Sequence, residues 1–241
     1  MSRIAKISAA LSITALAAVL AARLGAQEAP KLDLVAMQKA QAAYDAMPDT
    51  SGDGPYPAIM TTDPSLPDHV IYRPRDLDGM GDRKLAVLAW GNGGCFDDGA
   101  SARLHLEEIA SYGYLVVAPG QIRSGPSARL PHLPFDGPGP DGKMPAPRTS
   151  AQDVRAGIDW AIAQNTRSGG SYSGRIATHE IAVAGHSCGG LQAIELAADP
   201  RVKTVMINNS GVFNGGVGAV SLTQTALRWS DGPLPAPWLT P

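Results

Sequence analysis

Gly185-His186-Ser187-Cys188-Gly189-Gly190 sets one serine among glycines, between the apolar run Glu180 to Ala184 and a helix-like stretch beginning at Cys188. A Gly-x-Ser-x-Gly run joining a buried strand to a helix forces the serine onto a sharp turn, with its hydroxyl clear of the backbone. The helix start adds free N–H groups and partial positive charge beside that hydroxyl. The chemistry to expect is nucleophilic attack by Ser187 on an acyl carbon. The bare pattern is cheap in a chain with 27 glycines, and its plain alternative is an ordinary Gly-rich turn. The strand and helix on either side favour the nucleophile.

Acyl transfer also needs two backbone donors aimed at the developing oxyanion. One is expected from the residue after the nucleophile, Cys188. The other is expected from the glycine-lined segment Gly91-Asn92-Gly93-Gly94-Cys95, through Cys95 or Gly94. A phosphate-binding loop would need a Gly-Lys-Ser/Thr ending, which is missing here. His179-Glu180 lacks the second histidine of a zinc motif, and Asp97-Asp98 lacks calcium-loop spacing, so that pair is read as solvating its loop. No metal and no cofactor are expected.

These residues must be positioned by strands and helices that the sequence marks in alternation. Lys84 to Trp90, Tyr114 to Ala118, Glu180 to Ala184 and Lys203 to Asn208 are short apolar runs, as buried parallel strands are. Helical stretches are expected at Leu32 to Met47, Ala100 to Tyr112, Ala151 to Asn165 and Cys188 to Ala198, the third opened by a Ser150/Asp153 capping box. Asp49 to Pro67 reads as loop, and His69 to Tyr72 as a short extended run. Residues 121 to 148 carry seven prolines and form a long excursion. The fold class is therefore α/β, doubly wound, with a mostly parallel sheet covered on both faces.

The 241 residues fit one such domain plus an export signal. Arg3 and Lys6 precede an apolar run from Ile7 to Ala22, and small residues follow. Residues 1–26 thus read as a signal peptide, with an uncleaved anchor as the alternative. Cleavage would remove Arg3, Lys6 and Arg23 and no acid, taking the net charge from −2 to −5. The mature protein is expected to be secreted or periplasmic, with no stable membrane span. With 20 basic against 22 acidic side chains, the basic excess of a nucleic-acid binder is missing. Cys95 and Cys188 are an even pair in an oxidising compartment, where a disulfide is the default.

The stretches WGNGGC (Trp90 to Cys95), IASYGYLVVAPG (Ile109 to Gly120), DVRAGIDWAIAQ (Asp153 to Gln164), IAVAGHSCGGLQA (Ile181 to Ala193) and DPRVKTVMINNSG (Asp199 to Gly211) resemble the α/β-hydrolase superfamily. More narrowly they are similar to secreted serine esterases around the cutinases and polyester hydrolases. The resemblance covers about Leu85 to Phe213. It places the second oxyanion donor on Cys95, so both donors would be cysteines. Residues whose N–H groups point at one oxygen have neighbouring Cα atoms, so a Cys95–Cys188 disulfide clamping the oxyanion hole is expected. Two buried free thiols are the alternative.

In that superfamily the triad runs Ser, acid, His along the chain. The five histidines here, His69, His105, His132, His179 and His186, all precede Ser187. His132, in the Pro-rich excursion at the active-site end of the sheet, is the internal candidate for the base. Asp231, 44 residues after Ser187, is the candidate acid, although SDGP around it reads as a turn. The legible strand–helix pattern stops near Phe213, and 214–241 is an irregular Gly/Pro-rich tail. The expectation is an α/β hydrolase domain over 27–213 that is incomplete at its C-terminal side. Two functions follow. One is a serine hydrolase of small-molecule or polymeric carboxylic esters. The other is a non-catalytic, truncated or hydrolase-like binding protein. Neither substrate nor oligomeric state is legible.

Overall fold

The computed structural model describes residues 33–131 and 145–211. The chain divides into two units, Met1–Lys39 and Ala40–Pro241. The signal segment 1–26, His132, the tail 214–241 and Asp231 lie outside the described residues.

Apolar runs do become strands. The strands are β1 (Ala58–Asp63), β2 (Leu66–Pro74), β3 (Leu85–Gly91), β4 (Tyr114–Pro119), β5 (Ile176–His186) and β6 (Val202–Asn208). The helices are α1 (Leu34–Asp45), α2 (Arg103–Ser111), α3 (Ala151–Thr166) and α4 (Cys188–Leu196). One six-stranded sheet has the order β1-β2-β4-β3-β5-β6. Pairings β3/β4, β3/β5 and β5/β6 are parallel, whereas β2 is antiparallel to both β1 and β4. The mostly parallel α/β class is thus observed.

The sheet separates two apolar clusters because successive strand residues point to opposite faces. Ile71, Val87, Ala89, Leu115, Val117 and Val183 pack with α3 and α4 through Ile158, Trp160, Ala193 and Leu196. Val70, Tyr72, Leu88, Trp90 and Val116 pack on the other face with Leu106 and Ala110 of α2. Val205, Met206 and Ile207 of β6 are exposed among the described residues.

Local signals fix several boundaries. Ser150 donates its N–H and its hydroxyl to the Asp153 carboxylate, each at 2.7 Å, at the start of α3. Gly113 ends the α2 segment with φ 93°. Two readings are corrected. Asp49 to Pro67 is not all loop, since β1 and the start of β2 form a hairpin there. The prolines Pro64 and Pro67 and a register shift near Asp63 broke the apolar alternation that would have marked it. β5 also begins earlier than Glu180. Its pairing with β3 slips between Leu85 and Val87, which places the exposed His179 and Glu180 inside a longer strand.

Candidate active site around Ser187

Ser187 lies between β5 and α4 with φ 51° and ψ −118°, a conformation that side chains ordinarily avoid. Its N–H donates to Asn208 O at 3.0 Å, and its carbonyl accepts from Gly190 N at 2.9 Å. The turn is therefore pinned to the end of β6 and to its own helix, while the side chain stays exposed. Glycine is required around it by close approach. A Cβ on Gly189 would stand 2.0 Å from Gly91 O, and one on Gly185 would stand 2.1 Å from Gly189 O.

Cys95 closes a short 3-10 turn over Gly93–Cys95 directly after β3. Its φ is 49°, and Asn209 after β6 has φ 48°. Cys95, Ser187 and Asn209 are the non-glycine residues with positive φ among the described residues. All three stand at the ends of the neighbouring strands β3, β5 and β6. Strained backbone of this kind persists where the surrounding structure holds it, and it gathers at functional sites.

A disulfide joins Cys95 to Cys188, with Cα atoms 5.3 Å apart. It ties the loop after β3 to the first residue of α4. Cys188 N–H, at the helix start, has no acceptor within its own helix. Cys95 N–H instead donates to Asn92 O at 3.1 Å, the bond that closes its turn. To act as an oxyanion donor, this group would have to share that hydrogen with the substrate.

Several supporting side chains carried no sequence signal strong enough to single them out. Gln192, one turn into α4, donates to Thr149 O at 2.7 Å and to Cys95 Sγ at 3.1 Å. Arg148 N–H and Thr149 N–H both donate to Cys95 O at 2.9 Å, which fastens the segment before α3 to the disulfide. The Asn92 amide donates to Phe96 O and Pro119 O at 3.0 and 2.7 Å, setting the loop after β3 against the end of β4. Gln192 is four residues from Cys188 on one helix face, and that spacing could have marked it. The others depend on contacts between distant segments.

Asp98 is buried, not solvating as expected. It accepts from Ala100 N at 3.0 Å, Arg123 N at 3.2 Å and Ser124 Oγ at 2.5 Å. Asp97 pairs with Arg123 at 3.0 Å and stands 3.6 Å from Arg148. The pair organises the loops after β3 and β4.

The histidines do not assemble a triad among the described residues. His69 is buried on β2 with Nε2 2.8 Å from Asp153 O, and burial holds its pKa below the ordinary value. His105 stacks edge-on against Trp90 at 5.5 Å on the α2 side of the sheet. His179 is exposed beside Glu180, 3.8 Å away. His186 is exposed with its ring close to Gly93. No hydrogen bond joins the Ser187 hydroxyl to another described residue. Asp199 is engaged by Arg201 before β6, at the opposite end of that strand from Asn208. Among the described residues, no group of three or more His, Cys, Asp or Glu side chains could hold a metal ion. No described helix is long and apolar enough to cross a membrane.

Compared with known proteins, the chain matches no protein-family model and no curated protein sequence.

Proposed function

We propose that the chain is an exported serine hydrolase of α/β-hydrolase type acting on carboxylic esters. The observation that carries this reading is the gathering of strained backbone at Cys95, Ser187 and Asn209 around one exposed hydroxyl. The nucleophile turn follows a central parallel strand, and the second donor loop follows β3 on its way to a helix. Acyl-transfer sites on this fold draw their nucleophile and oxyanion donors from those two places. In the proposed reaction Ser187 Oγ bonds to the acyl carbon and its proton passes to a base, which returns it to the departing oxygen as the acyl C–O bond breaks and the alcohol leaves. Water then attacks the acyl-serine and releases the acid. Cys188 N–H, with Cys95 N–H or Gly94 N–H, bears the oxyanion. The reaction so written calls for no metal or cofactor.

His132 and Asp231 remain the candidates for base and acid. The second reading is a hydrolase-like protein without turnover. The deciding experiment is hydrolysis of p-nitrophenyl butyrate by the mature protein beside Ser187→Ala and His132→Ala. Turnover lost by 10³-fold or more in both variants supports the esterase with His132 as base. Equal, near-background rates in wild type and Ser187→Ala support the non-catalytic reading.

A further inference from the structure

We infer that the Cys95–Cys188 disulfide is a thiol-exchange site, which dithiols open by attack at Cys188 with Cys95 as the leaving sulfur.

The two cysteines stand in different surroundings. Cys95 is 2% exposed, whereas Cys188 is only half-buried and follows the exposed His186 and Ser187. Thiolate attack on a disulfide requires access to the sulfur attacked, so the incoming thiol takes Cys188. The sulfur that leaves has a donor already aimed at it. Gln192, 6% exposed, points its amide Nε2 at Cys95 Sγ from 3.1 Å. That nitrogen is held in place by Thr149 O, which accepts from it at 2.7 Å and could not pair with the amide oxygen. A disulfide sulfur is a weak acceptor and a thiolate a strong one, so this contact strengthens as the bond breaks. Cys188 is the first residue of the nine-residue α4, where free N–H groups lower a thiol's pKa and make it a better leaving group.

The exchange balances as follows. A reductant thiolate bonds to Cys188 Sγ as the S–S bond breaks, and the electron pair departs on Cys95 Sγ. The reductant's second thiolate then attacks the mixed disulfide and frees Cys188 Sγ. The dithiol is oxidised to its disulfide, and its two protons end on Cys95 and Cys188. Other ties hold the region without passing through the sulfurs. Cys95 O keeps Arg148 N–H and Thr149 N–H, and β3 and β5 stay paired from Val87 to Gly91, so exchange calls for no unfolding. What opens is the link between the turn Gly93–Cys95 and the start of α4. On the reading of Ser187 as nucleophile, those two segments carry both oxyanion donors, so the dithiol form should hydrolyse esters more slowly.

The test treats the mature protein with dithiothreitol under native conditions, caps free thiols with N-ethylmaleimide at intervals and counts them by mass. Both cysteines should become free at a rate that low, sub-denaturing urea leaves unchanged, and removing the reductant under oxygen should restore the bond. With glutathione instead, peptide mapping after acid quench should find the mixed disulfide on Cys188. Gln192→Leu removes the donor to the leaving sulfur and should slow opening about tenfold, as expected for one lost hydrogen bond to a charged group. Gln152→Leu, on the exposed side of α3, should not. A disulfide that withstands dithiothreitol until urea unfolds the protein, a mixed disulfide on Cys95, or opening that Gln192→Leu leaves unchanged or speeds would overturn the assignment. Assays with p-nitrophenyl butyrate on the same samples separate it from the reading of Ser187. Exchange at Cys188 without Ser187-dependent hydrolysis keeps the exchange site and refutes the nucleophile. Ser187-dependent hydrolysis with a resistant disulfide does the reverse. Hydrolysis unchanged in the reduced protein refutes the link between the bond and the rate.

Discussion

Ser187, Cys95 and Cys188 were legible from residue types alone, because glycine spacing and cysteine parity are local signals. Their consequences are testable at the same scale. The disulfide closes a stretch of 93 residues, so its loss releases a long loop in the unfolded chain. Cys188→Ser, or reduction of the wild type, should lower stability by about 2–5 kcal/mol, read as a fall in melting temperature by circular dichroism. Cys95→Ser should behave alike, and the double variant should add nothing. An unchanged melting temperature in reductant would show that the bond contributes no stability. Gly189→Ala is a harsher change. Its methyl would stand 2.0 Å from Gly91 O, backbone against a methyl with nowhere to retreat. The expected outcome is loss of soluble folded protein, whereas Gly169→Ala, where a Cβ meets nothing, should fold.

Among the described elements, β3, β4 and β5 were readable from apolar runs, because a strand buried on both faces leaves a nearly continuous apolar signature; β6 carries the same kind of run although most of its residues are exposed. The β1–β2 hairpin was not, since Asp63, Pro64 and Pro67 interrupt it and its stability comes from pairing with β4. Between α3 and the segment before β6 lies a charge network. Arg201 holds Asp199 at 2.6 Å and Asp159 at 2.6 Å, with Arg155 3.8 Å from Asp199. The Arg201 hydrogen bond draws the Asp199 carboxyl down to about 2 from its ordinary 3.8. A lowered carboxylate favours the fold above the unfolded pKa, and that contribution fades as pH falls from about 4 toward 2. Asp199→Asn should therefore cost stability at pH 6, roughly 1–3 kcal/mol for one charged hydrogen bond, and little at pH 2. A variant equally destabilised at both values would contradict the network's role.

For the molecule as a whole, a buried polar strap joins the stretch before β1 to α2. Fully buried Arg103 binds Asp49 at 2.8 Å and the carbonyls of Tyr44 and Met47, with its guanidinium 4.6 Å from the Tyr44 ring. Glu107 accepts Thr50 N–H at 3.0 Å, and Ser111 Oγ accepts Gly54 N–H at 2.9 Å. Burial lifts the Glu107 carboxyl to about 7, an effect that the Thr50 hydrogen bond and Arg103 only partly offset. A raised carboxylate binds its proton more tightly when folded, so this group's contribution is largest below about pH 4.5 and is lost as pH rises to 7. Glu107→Gln should raise the melting temperature at pH 8 relative to wild type and change it less at pH 4.5. A gain that is the same at both pH values would show that Glu107 does not titrate between them.

By itself the sequence determined the α/β class, the serine turn and the strand ends that frame it, and it made a disulfide the default for two cysteines, which the structure then joined. Each of these rests on neighbours within a dozen residues or on a count. Only the tertiary structure decided that Arg148, Thr149 and Gln192 converge on the disulfide, that Asp98 turns inward, and that no described histidine hydrogen-bonds the Ser187 hydroxyl. Those facts depend on which loops the order β4-β3-β5 brings side by side, and contacts between segments 40 to 100 residues apart leave no period in a sequence.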